Sequence, residues 1–228
     1  MANNHIYHSV KVKLQKMGQD VSDFTHDVFV DTKRKLTSGE VKMCQLVFKN
    51  SIDYSKVYLH AGGLTAGGII SKTGNAVTLD GETWFPIDEY KKNPDFSTSP
   101  LGQNRHWFIH EMTHIWQSQL GHSNGFAGAK ILCTGGYTST VNSVDSGIGE
   151  LKGYDTDILG RDKNKKFSDF NFEQQGRLIE FWFDAMHLKN VNPSRQHHQK
   201  SLQLLPSIQI ILSNFLKNPS DPTLLPSP

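Results

Sequence analysis

The sequence predicts an α+β fold in which a small mixed sheet packs on one long central helix and further helices follow toward the C-terminus. Three observations point there. Short runs of alternating apolar and polar residues cluster before residue 90, which is the period of half-buried strands. A nearly apolar run from Trp107 to Trp116 carries His110, Glu111 and His114 at helical spacing. After Asn171, apolar residues recur every three or four positions over two long stretches. The 228 residues, 36% hydrophobic and 10% aromatic, suffice for one packed core.

Residues 1–35 hold two alternating runs, His8 to Leu14 and Asp27 to Val30, which suit strands or an extended arm. Thr37 and Glu40 have capping-box spacing. A helix therefore follows, with Val41, Cys44, Val47 and Phe48 on one face, ending near Asn50. Tyr54 to His60 alternates like a strand, and the glycines from Gly62 to Gly68 mark a loop. Asn75 to Asp80 and Thr83 to Ile87 read as strands joined by Asp80-Gly81 turn chemistry. Residues 88–100 are polar and contain proline, so they read as a loop.

The long helix is expected to start near Gln103 or Asn104 and to end by Gly121. On it, residues four apart lie on one face, so His110 and His114 can offer two imidazole nitrogens to one ion. Glu111 projects to the same side, placed to take a proton from the attacking water of a zinc hydrolase. The chain has eleven histidines, and its own residue frequencies give roughly a 2% chance of one His-Glu-x-x-His anywhere. Chance is thus the weaker reading, and the apolar flanks weaken it further, since polar groups buried among them need partners.

After the long helix, Phe126 to Leu132 suggests a short helix, and Thr134 to Gly149 reads as a long small-residue loop. A helix capped by Asp169 or Asn171 then carries an apolar stripe of Leu178, Ile179, Trp182 and Phe183. One C-terminal helix is expected within 191–217, interrupted at Pro206. Residues 218–228 form a proline-rich tail expected to be loosely ordered.

A catalytic zinc takes three protein ligands and keeps one position open. Among the acidic residues and histidines after His114, Glu173 stands out because it opens a helix whose other face is apolar, a rigid way to deliver a carboxylate. Glu180, two turns on, is the alternative. His122, just past the helix, suits a solvated or capping role better.

The remaining chemistry is mostly excluded. A net charge of +2 and a pI near 8.4, without a basic stripe or aromatic-basic module, give no footprint for nucleic acid. Cys44 and Cys133 lie in apolar stretches and read as two buried thiols. No stretch is long enough to insert in a membrane. Met1 to His8 has neither a basic nor an apolar leader region, so the reading expects synthesis as a soluble cytoplasmic chain, exported by another route if at all.

Phe108-Ile-His-Glu-Met-Thr-His-Ile-Trp-Gln117, an upstream Thr73-Gly-Asn-Ala-Val77 and a downstream Phe167-Ser-Asp-Phe-Asn-Phe-Glu-Gln-Gln175 together resemble the zincin-like metallopeptidase domains of Vgr-related and Rhs-associated type VI secretion proteins. The resemblance runs from about Leu36 to Phe183, within a core domain at 36–190. It implies a gluzincin-type site binding Zn2+ through His110, His114 and Glu173, with Glu111 as base. Where that group more often has alanine, this chain has Gly176, a departure expected to touch packing and not the metal.

The resemblance further implies a zinc peptidase or amidase acting on protein or on peptidoglycan stem peptides as an antibacterial effector. It also implies a VgrG- or Rhs-type carrier and an immunity protein as partners. A strand beside such a cleft often pairs with an extended substrate. The alternatives are a non-catalytic, zinc-containing delivery module and a housekeeping cytoplasmic peptidase. Tyr137, Tyr154 and His122 are candidate donors to the carbonyl oxygen.

Overall fold

The computed structural model describes residues 33–226 apart from 66–67, 70–73, 80, 126–127, 129–134 and 138. The strands expected at His8 to Leu14 and Asp27 to Val30, and most of the helix expected at Phe126 to Leu132, lie outside the described residues.

The described chain begins with β1 (Arg34–Lys35) and α1 (Ser38–Phe48). The Thr37–Glu40 capping box forms, and the Glu40 carboxylate goes further than the sequence suggested. It is fully buried, accepts the backbone N–H of Phe96 at 2.9 Å, and takes both Arg34 Nη atoms at 2.7 Å. A buried carboxylate is tolerated because charged and neutral donors surround it. β2 (Tyr58–Ala61) follows a 3₁₀ turn at Tyr54–Lys56. The glycine segment is more than a loop, since it contains the paired strands β3 (Leu64–Thr65) and β4 (Gly68–Ile69).

Then come β5 (Val77–Leu79) and β6 (Glu82–Phe85), with Gly81 at φ 82° supplying the left-handed turn between them. The main sheet is mixed, in the order β1-β2-β6-β5. β2 runs parallel to β6, and the outer pairs are antiparallel. β5 is an edge strand of this sheet, with Thr78 opposite Thr83.

Residues 88–100 also depart from the expected loop. α2 (Ile87–Lys92) occupies the start, and a 3₁₀ turn spans Phe96–Thr98. Asp88 and Glu89 in its first turn and Lys91 and Lys92 in its last complement the helix dipole, a pattern the proline content obscured.

α3 (Gly102–Gln119) is the central helix. Every residue from Phe108 to Gln117 on it is buried, between the sheet and the helices that follow. Phe108 stacks with Phe96 at 5.2 Å, and Phe96 in turn meets Phe85 from β6 at 4.5 Å. Strand pairing appears where a long loop was expected, between β7 (Thr140–Ser143) and β8 (Gly147–Leu151). Neither strand alternates in hydrophobicity, so backbone bonding and not an apolar face defines them.

α4 (Phe172–His187) packs on α3, with Asn171 as its N-cap. The single C-terminal helix expected at 191–217 is two, α5 (Gln196–Ile211) and α6 (Ser213–Lys217). Pro206 sits inside α5 at the cost of one backbone bond, and the break comes instead at Leu212.

The described part of the tail, residues 218–226, packs on the core, contrary to expectation. Leu224 is buried, Trp116 Nε1 donates to the Pro219 carbonyl at 2.6 Å, and Trp116 meets Phe215 edge-on at 5.1 Å. A buried indole N–H needs such a partner. The proline content that suggested disorder instead shapes a turn at Pro222–Leu224. Cys44 is a buried free thiol, and Cys133 lies outside the described residues.

Candidate metal centre

α3 presents His110 and His114 one turn apart, their rings edge-on with centroids at 4.9 Å. α4 crosses it and delivers Glu173 from its first turn. Oε2 of Glu173 lies 3.1 Å from Nε2 of His110 and 3.1 Å from Nε2 of His114. All three side chains are buried, and they form a group able to hold a metal ion. Two donors each about 2.0–2.2 Å from one ion sit about 2.9–3.6 Å apart at tetrahedral or octahedral angles. The separations and the two-imidazole, one-carboxylate chemistry therefore fit zinc. The other Glu173 oxygen accepts the Tyr137 hydroxyl at 2.5 Å.

The far nitrogen of each imidazole is engaged as well. His114 Nδ1 lies 2.9 Å from Gln117 Oε1, while Gln117 Nε2 donates to the Phe172 carbonyl at 3.1 Å and to Gln175 Oε1 at 2.9 Å. Gln175 Nε2 is fixed in turn by the carbonyls of Phe167, at 2.9 Å, and Leu224, at 2.8 Å. Because this chain starts from backbone carbonyls, each amide has one consistent orientation. Gln117 can only accept from His114, so Nδ1 of His114 carries a proton.

His110 Nδ1 meets a carboxylate instead, Glu180 Oε2 at 2.8 Å. Glu180 Oε1 takes Arg177 Nη1 at 2.7 Å, and Arg177 also pairs with Glu150. Outer partners of this kind orient a ligand and set its basicity.

The charges follow from these contacts. For His110, burial acts to lower the pKa, but hydrogen bonds with Glu173 and Glu180 outweigh it and push it up to about 10. Burial would raise the Glu173 carboxyl, yet the neighbouring His114 and the hydrogen bonds from both histidines hold it well below the usual carboxylate range. Burial raises Glu111, against the pull of His114, His110 and a hydrogen bond from Thr78.

Glu111 Oε2 accepts Thr78 Oγ1 at 2.8 Å, and Thr78 Oγ1 lies 3.0 Å from Thr83 Oγ1. The edge strand β5 thus positions the glutamate directly. Glu111 and His110 border a cleft of about 760 Å³ that is also lined by Asn75, Ala76, Leu151 and Tyr154.

The three ligand candidates chosen from sequence are therefore brought together. Glu180, the alternative ligand, meets Nδ1 of His110 and not the Nε2 that faces Glu173. Asn171, not Asp169, caps α4. Tyr137 and Tyr154 both reach the site, Tyr154 with its ring 5.6 Å from that of His110. His122 instead lies beside Phe172, at 6.0 Å.

Gly176 packs against His110 itself. A Cβ there would stand 2.7 Å from Cε1 of His110, so this glycine is what lets the α4 backbone approach the ring. Sequence reasoning missed Thr78, Gln117 and Gln175. Gln117, three residues after His114 on a buried helix, was the one with a visible signal.

No protein-family model matches the chain. Over 150 residues, 66% of its length, it is 29% identical to the type VI secretion system spike protein VgrG2b of Pseudomonas aeruginosa. The chain is similar to part of a spike protein. That part is 13% of VgrG2b. Among solved structures, the effector domain of Pseudomonas aeruginosa VgrG2b has a TM-score of 0.48 and 24% identity, over 77% of this chain and 83% of that chain. No helix among the described residues is long and apolar enough to cross a membrane.

Proposed function

We propose that the protein is a zincin-like, zinc-dependent peptidase or amidase that hydrolyses a peptide bond in a protein or a cell-wall stem peptide. The observation that carries this is the meeting of His110 Nε2, His114 Nε2 and Glu173 Oε2 at 3.1 Å, beside Glu111 in an open cleft. When bound, zinc would polarise the scissile carbonyl and make a coordinated water more acidic. Glu111 accepts the proton of the attacking water and passes it to the leaving nitrogen. Its burial, which raises its pKa, suits a group that must hold a proton between those steps. Thr78 keeps the carboxylate aimed at the cleft. The edge strand β5 offers backbone groups to an extended peptide, and Tyr154 lies where a donor to the carbonyl oxygen is useful. A base held by a dedicated hydrogen bond beside a cleft favours an enzyme over a delivery module.

Likeness to a type VI spike protein supports a role as an antibacterial effector loaded on a VgrG-type carrier. The test of activity is mass spectrometry of periplasmic extract and of purified cell-wall fragments after incubation with the protein. New cleavage products are expected with the wild type and not with Glu111→Gln or after chelation. Identical products with Glu111→Gln would exclude the mechanism. Secretion is tested separately, by the protein's presence in culture supernatant only while the type VI apparatus is intact.

A further inference from the structure

The segment between α3 and α4 carries a side chain at the centre that the hydrolysis as described does not use. Tyr137 lies just before β7, and its hydroxyl donates to Oε1 of Glu173 at 2.5 Å. Its backbone surroundings are pinned to the turn that follows β8. Gly153 N–H donates to the Gly136 carbonyl and Lys152 N–H to the Ser139 carbonyl, each at 2.8 Å. The Tyr137 ring lies 6.2 Å from that of Tyr154, which ends the same turn. The β7–β8 pairing thus has a use, since it closes the loop that presents this phenol to α4.

The two oxygens of Glu173 are not equivalent. Oε2 lies 3.1 Å from Nε2 of both histidines, whereas Oε1 meets the phenol. A phenol ionises near pH 10 at about its ordinary value, so at neutral pH this hydroxyl is a donor. A short hydrogen bond to a carboxylate oxygen occupies a lone pair and draws charge away from any ion beside it. A carboxylate without such a partner can bind a metal through one oxygen or through both. Binding through both would fill the position that a catalytic zinc keeps open and uses when it gains a further ligand in the transition state.

We propose that Tyr137 is a positioning residue that holds Glu173 to coordination through Oε2 alone and so keeps a metal position free for water and substrate. This rests on the reading of His110, His114 and Glu173 as the zinc ligands. It also commits the Tyr137 hydroxyl to Glu173, which leaves donation to the substrate carbonyl oxygen to Tyr154.

Co2+ is the probe, because it takes the same donors as zinc and its visible absorption weakens as its coordination number rises. Metal-free protein is loaded with one equivalent of Co2+ and passed through gel filtration. The wild type is expected to show the strong band of a four-coordinate ion. In Tyr137→Phe, which removes one hydroxyl, the band should weaken at least about twofold as Glu173 adds its second oxygen, with the metal still bound. A tyrosine that served only packing would lower the thermal midpoint and leave the band unchanged. X-ray absorption of the zinc-loaded wild type adds a reading that needs no variant, and one carboxylate oxygen is expected around the ion. Two carboxylate oxygens there, or equal cobalt bands in wild type and Tyr137→Phe, overturn this proposal alone. Protein that takes up neither metal overturns the proposed centre along with it.

Discussion

His110 and His114 sit one turn apart on the same helix and face the same Glu173 oxygen, yet opposite kinds of group hold them from behind. His114 leans on a neutral amide, Gln117, which two further links tie to backbone carbonyls at Phe167 and Leu224. His110 leans on a carboxylate, Glu180, inside a charged cluster with Arg177 and Glu150. The amide side sets orientation and tautomer without changing charge. The carboxylate side also makes its imidazole a stronger base, and so a stronger donor to a metal. One imidazole is held by geometry and the other by geometry and charge.

Breaking the charged side should have the largest effect. Glu180→Gln keeps the shape but removes the carboxylate behind His110, and zinc affinity should fall by about 10–100-fold in competition with a chelator. The pH dependence should change with it. Zinc takes the neutral imidazole, and His110 holds its proton up to about 10 in the metal-free protein. The proton therefore competes below that pH, and apparent affinity should climb about tenfold per pH unit between 6 and 8 on account of His110. The slope should flatten in Glu180→Gln, and an unchanged slope would remove the distinction between the two sides.

Breaking the neutral side should cost less. Gln117→Ala leaves His114 free to rotate without altering any charge, so affinity should drop about tenfold with the pH slope preserved. A smaller and purely steric change sharpens the comparison further. Gly176→Ala places a methyl 2.7 Å from the His110 ring. A few-fold faster loss of zinc to a chelator is expected, with the fold retained by circular dichroism. Unchanged retention would mean that the ring moves aside at no cost.

What could be read from the sequence follows the range of the interactions. His110, Glu111 and His114 declare themselves because ligand spacing on a helix is local, and Glu173 because a carboxylate in the first turn of an apolar-faced helix is conspicuous. Gln175 was hidden, since its partners are backbone carbonyls, one of them 49 residues away. Thr78 was hidden because threonine is common in any strand. The same limit applies to the fold. The capping box at Thr37 was legible, and so was the turn at Gly81. The pairing of β7 with β8 and the docking of Leu224 rest on backbone groups and distant contacts that leave no periodic pattern.

The most direct measurement of the central claim is the zinc content of the purified protein after dialysis against a weak chelator, compared with that of Glu173→Gln at matched folding. About one strongly held equivalent is expected in the wild type. It should be largely lost from Glu173→Gln, because an amide oxygen is a poorer ligand than a carboxylate and leaves two histidines to hold the ion. Wild-type protein without zinc after zinc-replete expression, or Glu173→Gln retaining its zinc as firmly as the wild type, would contradict the assignment of His110, His114 and Glu173 as the metal centre.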